Sequence, residues 1–227
     1  MNVVIPYRNT CGSEELEMCI KLIKKNLNIP ISAIYVIGDL FDFNDNLLYN
    51  KKVEEQKYNK WLDSNFLIEY YIKNYSNNEP FILFNDDFFI TSKVDSIGQY
   101  YCETIEDRIL TTNIIDSKTN SIRLSMYGLN LQAFLKHFDN FENYETHTPM
   151  LIEKPEVMLE AIRISKLYDC PALKRTLYMY LLKTKGQELK YDVKFGEPLR
   201  IMQYPFFSLT DRAEFLAFEK ELAEIAK

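Results

Sequence analysis

Two short apolar runs, with an amphipathic segment between them, constrain the fold of this chain more than any other feature. Residues 3–5 and residues 33–37 are apolar and ended by Pro or Gly, which is typical of buried strands. Between them, Ser13 precedes acidic residues and then apolar residues at helical spacing, until Pro30. A strand, a helix and a second strand in this order form a right-handed parallel unit. The sequence therefore predicts an α/β fold.

Residues 81–84 extend this interpretation, because a run that is apolar on both faces is typical of a central parallel strand. Further predicted elements are helices within 51–75 and over 129–138, 153–168, 171–182 and 210–226, a polar loop over 42–50, and strands over 100–112 and 121–125. We expect a Rossmann-type, mixed but mainly parallel central sheet flanked by helices, with a helical C-terminal part.

The composition favours one folded domain over residues 1–227, because 47% of the residues are hydrophobic, 26% are charged, and no repeat or linker divides the chain. The net charge of −6 argues against bulk electrostatic binding to nucleic acid or anionic lipid, but it leaves room for a local basic groove.

The longest apolar stretches are far shorter than the roughly 20 residues that cross a bilayer, and residues 1–6 lack the features of a secretory signal. The four cysteines are scattered without a C-x-x-C pair, so we expect reduced thiols rather than a zinc site. We therefore expect a cytoplasmic protein without a membrane span.

The most informative motif is the pair Asp86-Asp87, which directly follows the apolar run 81–84 and Asn85. Ligands of open α/β sheets bind at the carboxyl ends of the strands. Two carboxylates there are costly unless they meet a cation, and Mg²⁺ or Mn²⁺ prefers carboxylates together with substrate phosphates. The alternative is a turn capped by Asn85 and Asp86 with its acids in solvent.

A second candidate is His147, in the extended segment Glu145-Thr146-His147-Thr148-Pro149. A neutral imidazole could complete a carboxylate-plus-histidine metal site. The alternative is a histidine that makes only hydrogen bonds within its loop.

A third candidate follows the first predicted strand, where Pro6, Tyr7, Arg8 and Asn9 could hold a nucleobase and its phosphates. Asp39 ends the second strand and could bind base or ribose hydroxyls. Candidate phosphate partners are lysines of the next segment: Lys51, Lys52, Lys57 and Lys60. The alternatives are an ordinary strand-to-helix loop and a solvated basic face.

These motifs together resemble a GT-A glycosyltransferase. The residues that carry the resemblance are Val-Ile-Pro-Tyr-Arg-Asn at 4–9, Phe-Asn-Asp-Asp-Phe-Phe at 84–89 and His-Thr-Pro at 147–149. The last two are most similar to the Stealth-type branch, which transfers sugar phosphates, and to small phage and bacterial enzymes that glucosylate hydroxymethylated pyrimidines in DNA. The resemblance covers about residues 1–160. The chain is short for a Stealth protein and lacks its Asp-x-Val-Tyr-x-Trp-Val-Asp opening, which favours a small nucleotide-sugar transferase.

The resemblance implies a nucleotide-sugar-binding half over 1–90, an acceptor and metal half over 91–160, and a helical extension over 161–227. It implies that Pro6, Tyr7, Arg8 and Asp39 contact the nucleoside of a nucleoside-diphosphate-sugar, most simply a UDP-sugar. Asn9, Lys57, Asn85 and Asp86 are further candidates for binding this donor. Asn85-Asp86-Asp87 would replace the Asp-x-Asp motif, and because its first acid is Asn here, Asp86 would touch either the ribose or the metal. Asp87 would be the main ligand of Mn²⁺ or Mg²⁺, and His147 the later one.

The expected reaction is hexosyl transfer to a hydroxyl, with the metal cancelling charge on the departing diphosphate and with Arg8 or lysines assisting. Glu145 is the candidate base, because residues i and i+2 of an extended chain share one side, and Glu142 is second. A hydroxymethylated pyrimidine in phage DNA is one acceptor that fits, with basic tracts at 174–175, 183–185 or 190 on its phosphates. A glycan acceptor, a metal-dependent nuclease or phosphatase, and a non-catalytic binding module are the alternatives.

Overall fold

The computed structural model describes residues 1–9, 13–42, 45–54, 59–116, 121–190, 192–193, 205–209 and 212–227. The strands are β1 (Asn2–Tyr7), β2 (Ala33–Gly38), β3 (Leu48–Lys52), β4 (Phe81–Leu83), β5 (Phe88–Ile90), β6 (Tyr100–Tyr101), β7 (Asn113–Asp116), β8 (Ser121–Leu124), β9 (Met150–Ile152), β10 (Gln187–Glu188) and β11 (Phe206–Ser208). The helices are α1 (Glu14–Asn26), α2 (Lys60–Tyr75), α3 (Ile105–Thr112), α4 (Met126–Leu135), α5 (Pro155–Leu167), α6 (Lys174–Leu182) and α7 (Arg212–Ala226), with a 3₁₀ turn at Pro171–Leu173.

The central sheet has the strand order β3-β2-β1-β4-β9. Strands β1 to β4 are parallel, and β9 joins the edge of β4 in the antiparallel direction. The predicted mixed, mainly parallel α/β sheet is therefore confirmed, and β1, α1 and β2 form the predicted parallel unit.

Both faces of this sheet are buried, as the alternation along β1 shows. Val3 and Ile5 belong to one apolar cluster with residues of α1 and α7, and Val4 belongs to a second cluster with residues of α2, α5 and α6. Side chains of a strand alternate between its faces, so one strand supplies both layers. The molecule is a three-layer arrangement with helices on each side of the sheet.

Two predicted boundaries are wrong. Residues 100–112 were expected to form a strand, but only Tyr100–Tyr101 do so. Ile105–Thr112 form a helix in which Ile105 is the buried residue. Lys51 and Lys52 were expected to begin a helix, but they end edge strand β3. Charged lysines are common on an edge strand, since they discourage pairing with another chain.

The antiparallel direction of β9 decides where the functional residues lie. Met150, which begins β9, pairs with Leu83, which ends β4. Residues 145–149 therefore arrive at the same edge of the sheet that Asp86 and Asp87 leave. Sheet topology thus brings two distant segments of the sequence together. No helix in the described ranges combines the length and the apolar character needed to cross a bilayer.

Candidate active site

A cavity of about 780 Å³ opens at this carboxyl edge. Its wall includes eleven of the residues selected from the sequence: Pro6, Tyr7, Arg8, Lys60, Asn85, Asp86, Asp87, Glu145, His147, Lys174 and Arg175. Asn9 and Asp39 are not on the described wall but lie beside it, next to Arg8, where the backbone N–H of Asn9 donates to Asp39 Oδ2 at 2.9 Å. Lys57 lies outside the described residues.

The acid pair follows β4 and precedes β5, so both carboxylates are fixed between two strands. Ser208 of β11 donates from Oγ to Asp87 Oδ2 at 3.0 Å. Burial and the neighbouring charge of Asp87 raise the pKa of Asp86 to about 7. An acid whose charged form is disfavoured in this way gains from a cation or from strong donors.

Arg8 serves mainly to connect elements around the site. Its Nε and Nη2 each donate to the Asp63 carboxylate of α2 at 2.7 Å, and Nη1 donates to Asp39 Oδ1 at 3.2 Å. The remaining hydrogens reach the carbonyl oxygens of Val53 at 2.7 Å and Glu54 at 3.2 Å. Because its five donors all have protein acceptors, Arg8 is a structural clamp here, and its expected role on a departing diphosphate stays a prediction.

Tyr7 and Asp39 are held beside each other by a close backbone approach at Gly38. A Cβ on Gly38, which has φ +138°, would lie 2.0 Å from the carbonyl oxygen of Tyr7. The Asp39 N–H donates to that same oxygen at 3.1 Å. The ends of β1 and β2 therefore meet tightly, and the Asp39 side chain stays 41% exposed and accessible to a hydroxyl.

His147 is oriented by a residue that the sequence did not reveal. Its Nδ1 lies 2.7 Å from Asp192 Oδ2, and its backbone N–H donates to Asp192 Oδ1 at 3.0 Å. Burial opposes ionisation of Asp192, but the bonds and charge of His147 and the charge of Arg108 lower its pKa. Because the Asp192 carboxylate holds Nδ1, the other ring nitrogen of His147, Nε2, can contact a ligand.

Glu145, the candidate base, also caps a helix. Its Oε1 accepts the backbone N–H groups of Arg175 at 2.7 Å and Thr176 at 3.1 Å, at the start of α6. Burial raises its pKa, while the charges of Lys174 and Arg175 oppose that rise. Both bonds go to the same oxygen. The cap was not predicted from the sequence, because Glu145 and α6 are about 30 residues apart.

Lys174 and Arg175 are buried in the cavity wall, with 8% and 4% exposure. The predicted contact of this tract with DNA phosphates stays a prediction, and it requires a phosphate that enters the cavity. Arg175 Nη1 donates to the carbonyls of Thr146 at 3.0 Å and Thr148 at 2.7 Å, so it fixes the segment that carries His147.

Several other predicted residues lie elsewhere. Glu142, the second candidate base, is paired with Lys185 at 3.0 Å and is not on the described wall of this cavity. Lys51 lies over the ring of Tyr75, at 5.5 Å, and of the candidate lysines at 51, 52 and 60 the described wall includes only Lys60. Glu142 therefore forms an ion pair away from this cavity, and Lys51 packs over the ring of Tyr75.

Aromatic residues complete the wall. Trp61 of α2 and Tyr127 of α4 have ring centroids 6.4 Å apart and planes tilted by 43°, and Phe88 lies 6.2 Å from the His147 ring. Trp61 was not among the candidate residues selected from the sequence. Asn59, two residues earlier, caps α2 by accepting from the Trp61 N–H at 2.8 Å. This cap places Trp61 in the first turn of the helix, next to a loop.

The metal set Asp86, Asp87 and His147 does not form in the expected way. In the described part of the chain, no three His, Cys, Asp or Glu side chains are grouped to hold a metal by themselves. Two adjacent carboxylates do fit a shared site, because Mg²⁺ is usually bound by one or two carboxylates plus substrate phosphates and water. A cation there would also relieve the repulsion between the two acids.

Comparisons with known proteins show no relative in sequence. No protein-family model and no curated protein sequence matches the chain. Among solved structures, the chain is similar to the apo-form glycosyltransferase GlyE of Streptococcus pneumoniae TIGR4, with a TM-score of 0.44 and 10% identity. The match covers 99% of this chain and 61% of that one, so this chain spans less than two thirds of the length of GlyE.

Proposed function

We propose that this protein is a glycosyltransferase that moves a sugar from a nucleoside-diphosphate-sugar to a hydroxyl acceptor. The observation that carries the proposal is one cavity at the carboxyl edge of the mainly parallel sheet, whose wall carries an acid pair, a histidine and two buried cations. This is where open α/β sheets bind nucleotides. The low-identity likeness to GlyE adds no argument to it.

In this proposal, Tyr7 and the exposed carboxylate of Asp39 bind the nucleoside, most simply uridine. Asp86 and Asp87 would hold Mn²⁺ or Mg²⁺ together with the donor diphosphate. When bound, that cation supplies charge neutralisation as the diphosphate leaves. Nε2 of His147, oriented by Asp192, would donate to the donor phosphates from the protonated imidazole. Lys60 would add positive charge at the cavity.

Glu145 remains the proposed base. Its Oε1 is used by the α6 N-terminus, so Oε2 is the atom that would accept the acceptor proton. Burial, which raises the pKa of Glu145, makes its carboxylate a better proton acceptor. If the reaction inverts, this base and the acid pair act on opposite sides of the transferred sugar.

The acceptor predicted from the sequence, a hydroxymethylated pyrimidine in DNA, loses part of its support because Lys174 and Arg175 are internal. Lys183, Lys185 and Lys190 are the cations left for a nucleic-acid backbone. We therefore favour a saccharide acceptor that enters the cavity, with modified DNA as the second acceptor to test.

The test is donor turnover. The protein is incubated with a panel of nucleoside-diphosphate-sugars and Mn²⁺, and release of the nucleoside diphosphate is followed by mass spectrometry. We expect hydrolysis of one donor, lost in Asp87→Asn and kept in Asp139→Asn, an exposed acid outside the cavity. Cleavage of unmodified DNA would favour the nuclease alternative, and saturable nucleotide binding without product would favour the binding module. Either result would overturn the proposal.

A further inference from the structure

Lys174 is a buried cation that the reaction described above does not use. It is 8% exposed and lies on the cavity wall, and no hydrogen bond of its ammonium is present among the described residues. An ammonium on the wall of a cavity, with most of its side chain out of solvent, is a suitable partner for an anionic group of a ligand.

Lys174 lies on the side of the cavity that Glu145 and Tyr127 line. Glu145 Oε1 accepts the backbone N–H of Arg175, the residue after Lys174, at 2.7 Å. The backbone N–H of Glu145 and the hydroxyl of Tyr127 both donate to Asn143 Oδ1, at 3.1 Å and 3.3 Å. Lys174, Glu145 and Tyr127 therefore form one part of the cavity wall.

This part of the cavity has the character of a saccharide subsite. The rings of Trp61 and Tyr127 lie on its wall with their planes tilted by 43°, and the C–H face of a pyranose packs against such rings because their π-faces are negative. Lys60 Nζ lies 5.2 Å from the Trp61 ring centre, and Arg108, which is paired with Glu103 at 2.9 Å, has its Cζ 5.8 Å from that of Tyr127. Beside Glu145, Lys174 and Arg175 add two buried positive charges.

We propose that this lobe, formed by Lys174, Trp61 and Tyr127 beside Glu145, is an acceptor subsite for a saccharide that carries an anionic group, a carboxylate or a phosphate ester. The ammonium of Lys174 receives the anionic group, and the rings of Trp61 and Tyr127 receive the sugar. The acceptor hydroxyl then lies next to Glu145, the proposed base. This inference deepens the proposed function and rests on it.

The chain contains one tryptophan, Trp61, so its fluorescence reports on this lobe directly. Wild type is titrated with glucuronate, with glucose 6-phosphate and with neutral glucose. We expect saturable quenching by at least one anionic saccharide and much weaker binding of glucose. The comparison of the two anions identifies which group the site takes. In Lys174→Gln, affinity for that anion should fall roughly tenfold or more, as expected for the loss of a hydrogen bond to a charged group, while glucose is unaffected.

Lys136→Gln is the matched control, since Lys136 is an exposed lysine at the end of α4. It should bind each saccharide like wild type, and the melting temperature of each variant shows that it is folded. Equal affinity for charged and neutral saccharides, no quenching by either anion, or loss of UDP affinity instead of saccharide affinity in Lys174→Gln would overturn the inference. The last result would assign Lys174 to the donor diphosphate.

The two proposals fail in different ways. Absence of nucleotide binding and donor hydrolysis, with anionic saccharide still bound at Trp61, would remove the transferase but keep a saccharide site. Donor hydrolysis in wild type without any preference for anionic saccharides would keep the transferase and remove the subsite.

Discussion

Replacing Arg8 by Met should destabilise the fold rather than only weaken a ligand. The Asp63 carboxylate is 8% exposed and the Arg8 side chain 16%, and two 2.7 Å bonds join them. Without Arg8, a buried carboxylate is left uncompensated and the carbonyls of Val53 and Glu54 lose their donors. Breaking one partner of such a pair costs about 3 kcal/mol. For a chain of this length, that lowers the melting temperature by roughly 6–12 °C.

Thermal unfolding followed by circular dichroism measures this change. The control is Arg163→Met, because Arg163 makes the same two-bond contact with Glu160 at 2.7 Å but on an exposed helix face; its melting temperature should stay within about 2 °C of wild type. Arg8→Met combined with Asp63→Asn should recover part of the loss, since no buried charge remains. A melting temperature of Arg8→Met close to wild type, with weakened UDP binding, would refute the clamp and restore Arg8 as a donor ligand.

Three further outcomes follow from the geometry. Glu145→Gln keeps a side-chain oxygen that caps the α6 N-terminus, so it should retain stability but lose sugar transfer to the acceptor substrate. Glu145→Ala should lose both stability and transfer, at a cost of about 1 kcal/mol in urea unfolding. Full transfer by Glu145→Gln would exclude Glu145 as the base. The pKa of Asp192 is lowered in the folded state, so the stabilisation that its carboxylate provides is present above the ordinary pKa of 3.8 and is lost as the pH falls further. The difference in unfolding free energy between wild type and Asp192→Asn should therefore shrink from pH 7 to pH 3. Burial lowers the pKa of Lys174 from 10.5 to about 8; the charge of Arg175 lowers it as well, and the charge of Glu145 opposes the change. Between these two values the unfolded chain binds more protons than the folded protein. Wild type should therefore gain stability relative to Lys174→Met as the pH rises from 8 to 10. An unchanged difference in either pH comparison would show that the group is not perturbed by folding.

The parts of the fold that depend on local pattern could be predicted from the sequence. The apolar runs that became β1, β2 and β4 lie on both faces of a buried sheet, so their composition alone identified them. The segment 105–112 was misassigned because only Ile105 of that helix is buried, and a helix with so little buried surface gives a weak periodic signal.

The acid pair and His147 were found because they follow strand ends or stand in an unusual local motif. Their partners could not be found in this way. Asp192 contacts His147 across 45 positions, and Ser208 contacts Asp87 across 121. Such contacts are set by the tertiary fold, and an isolated Asp or Ser has no periodicity or spacing to mark it.

The burial of Lys174 and Arg175 could not be predicted from the sequence either. Two adjacent cations normally indicate a solvated surface, so the sequence gives no sign that both side chains are buried. Their burial follows from the 3₁₀ turn at Pro171–Leu173 and from Glu145, which supplies the compensating charge from a distant segment. The chemistry of the cavity therefore depends on contacts that only the three-dimensional structure shows.

The most direct test of the central claim is the affinity for UDP measured by titration calorimetry, with Mn²⁺ and with a chelator instead. Our account predicts that wild type binds UDP with Mn²⁺ and loses most of that affinity with the chelator, and that Asp86→Asn and Asp87→Asn bind weakly in both conditions. No binding of UDP to wild type in the presence of Mn²⁺, or an affinity that neither the chelator nor the two substitutions change, would contradict it.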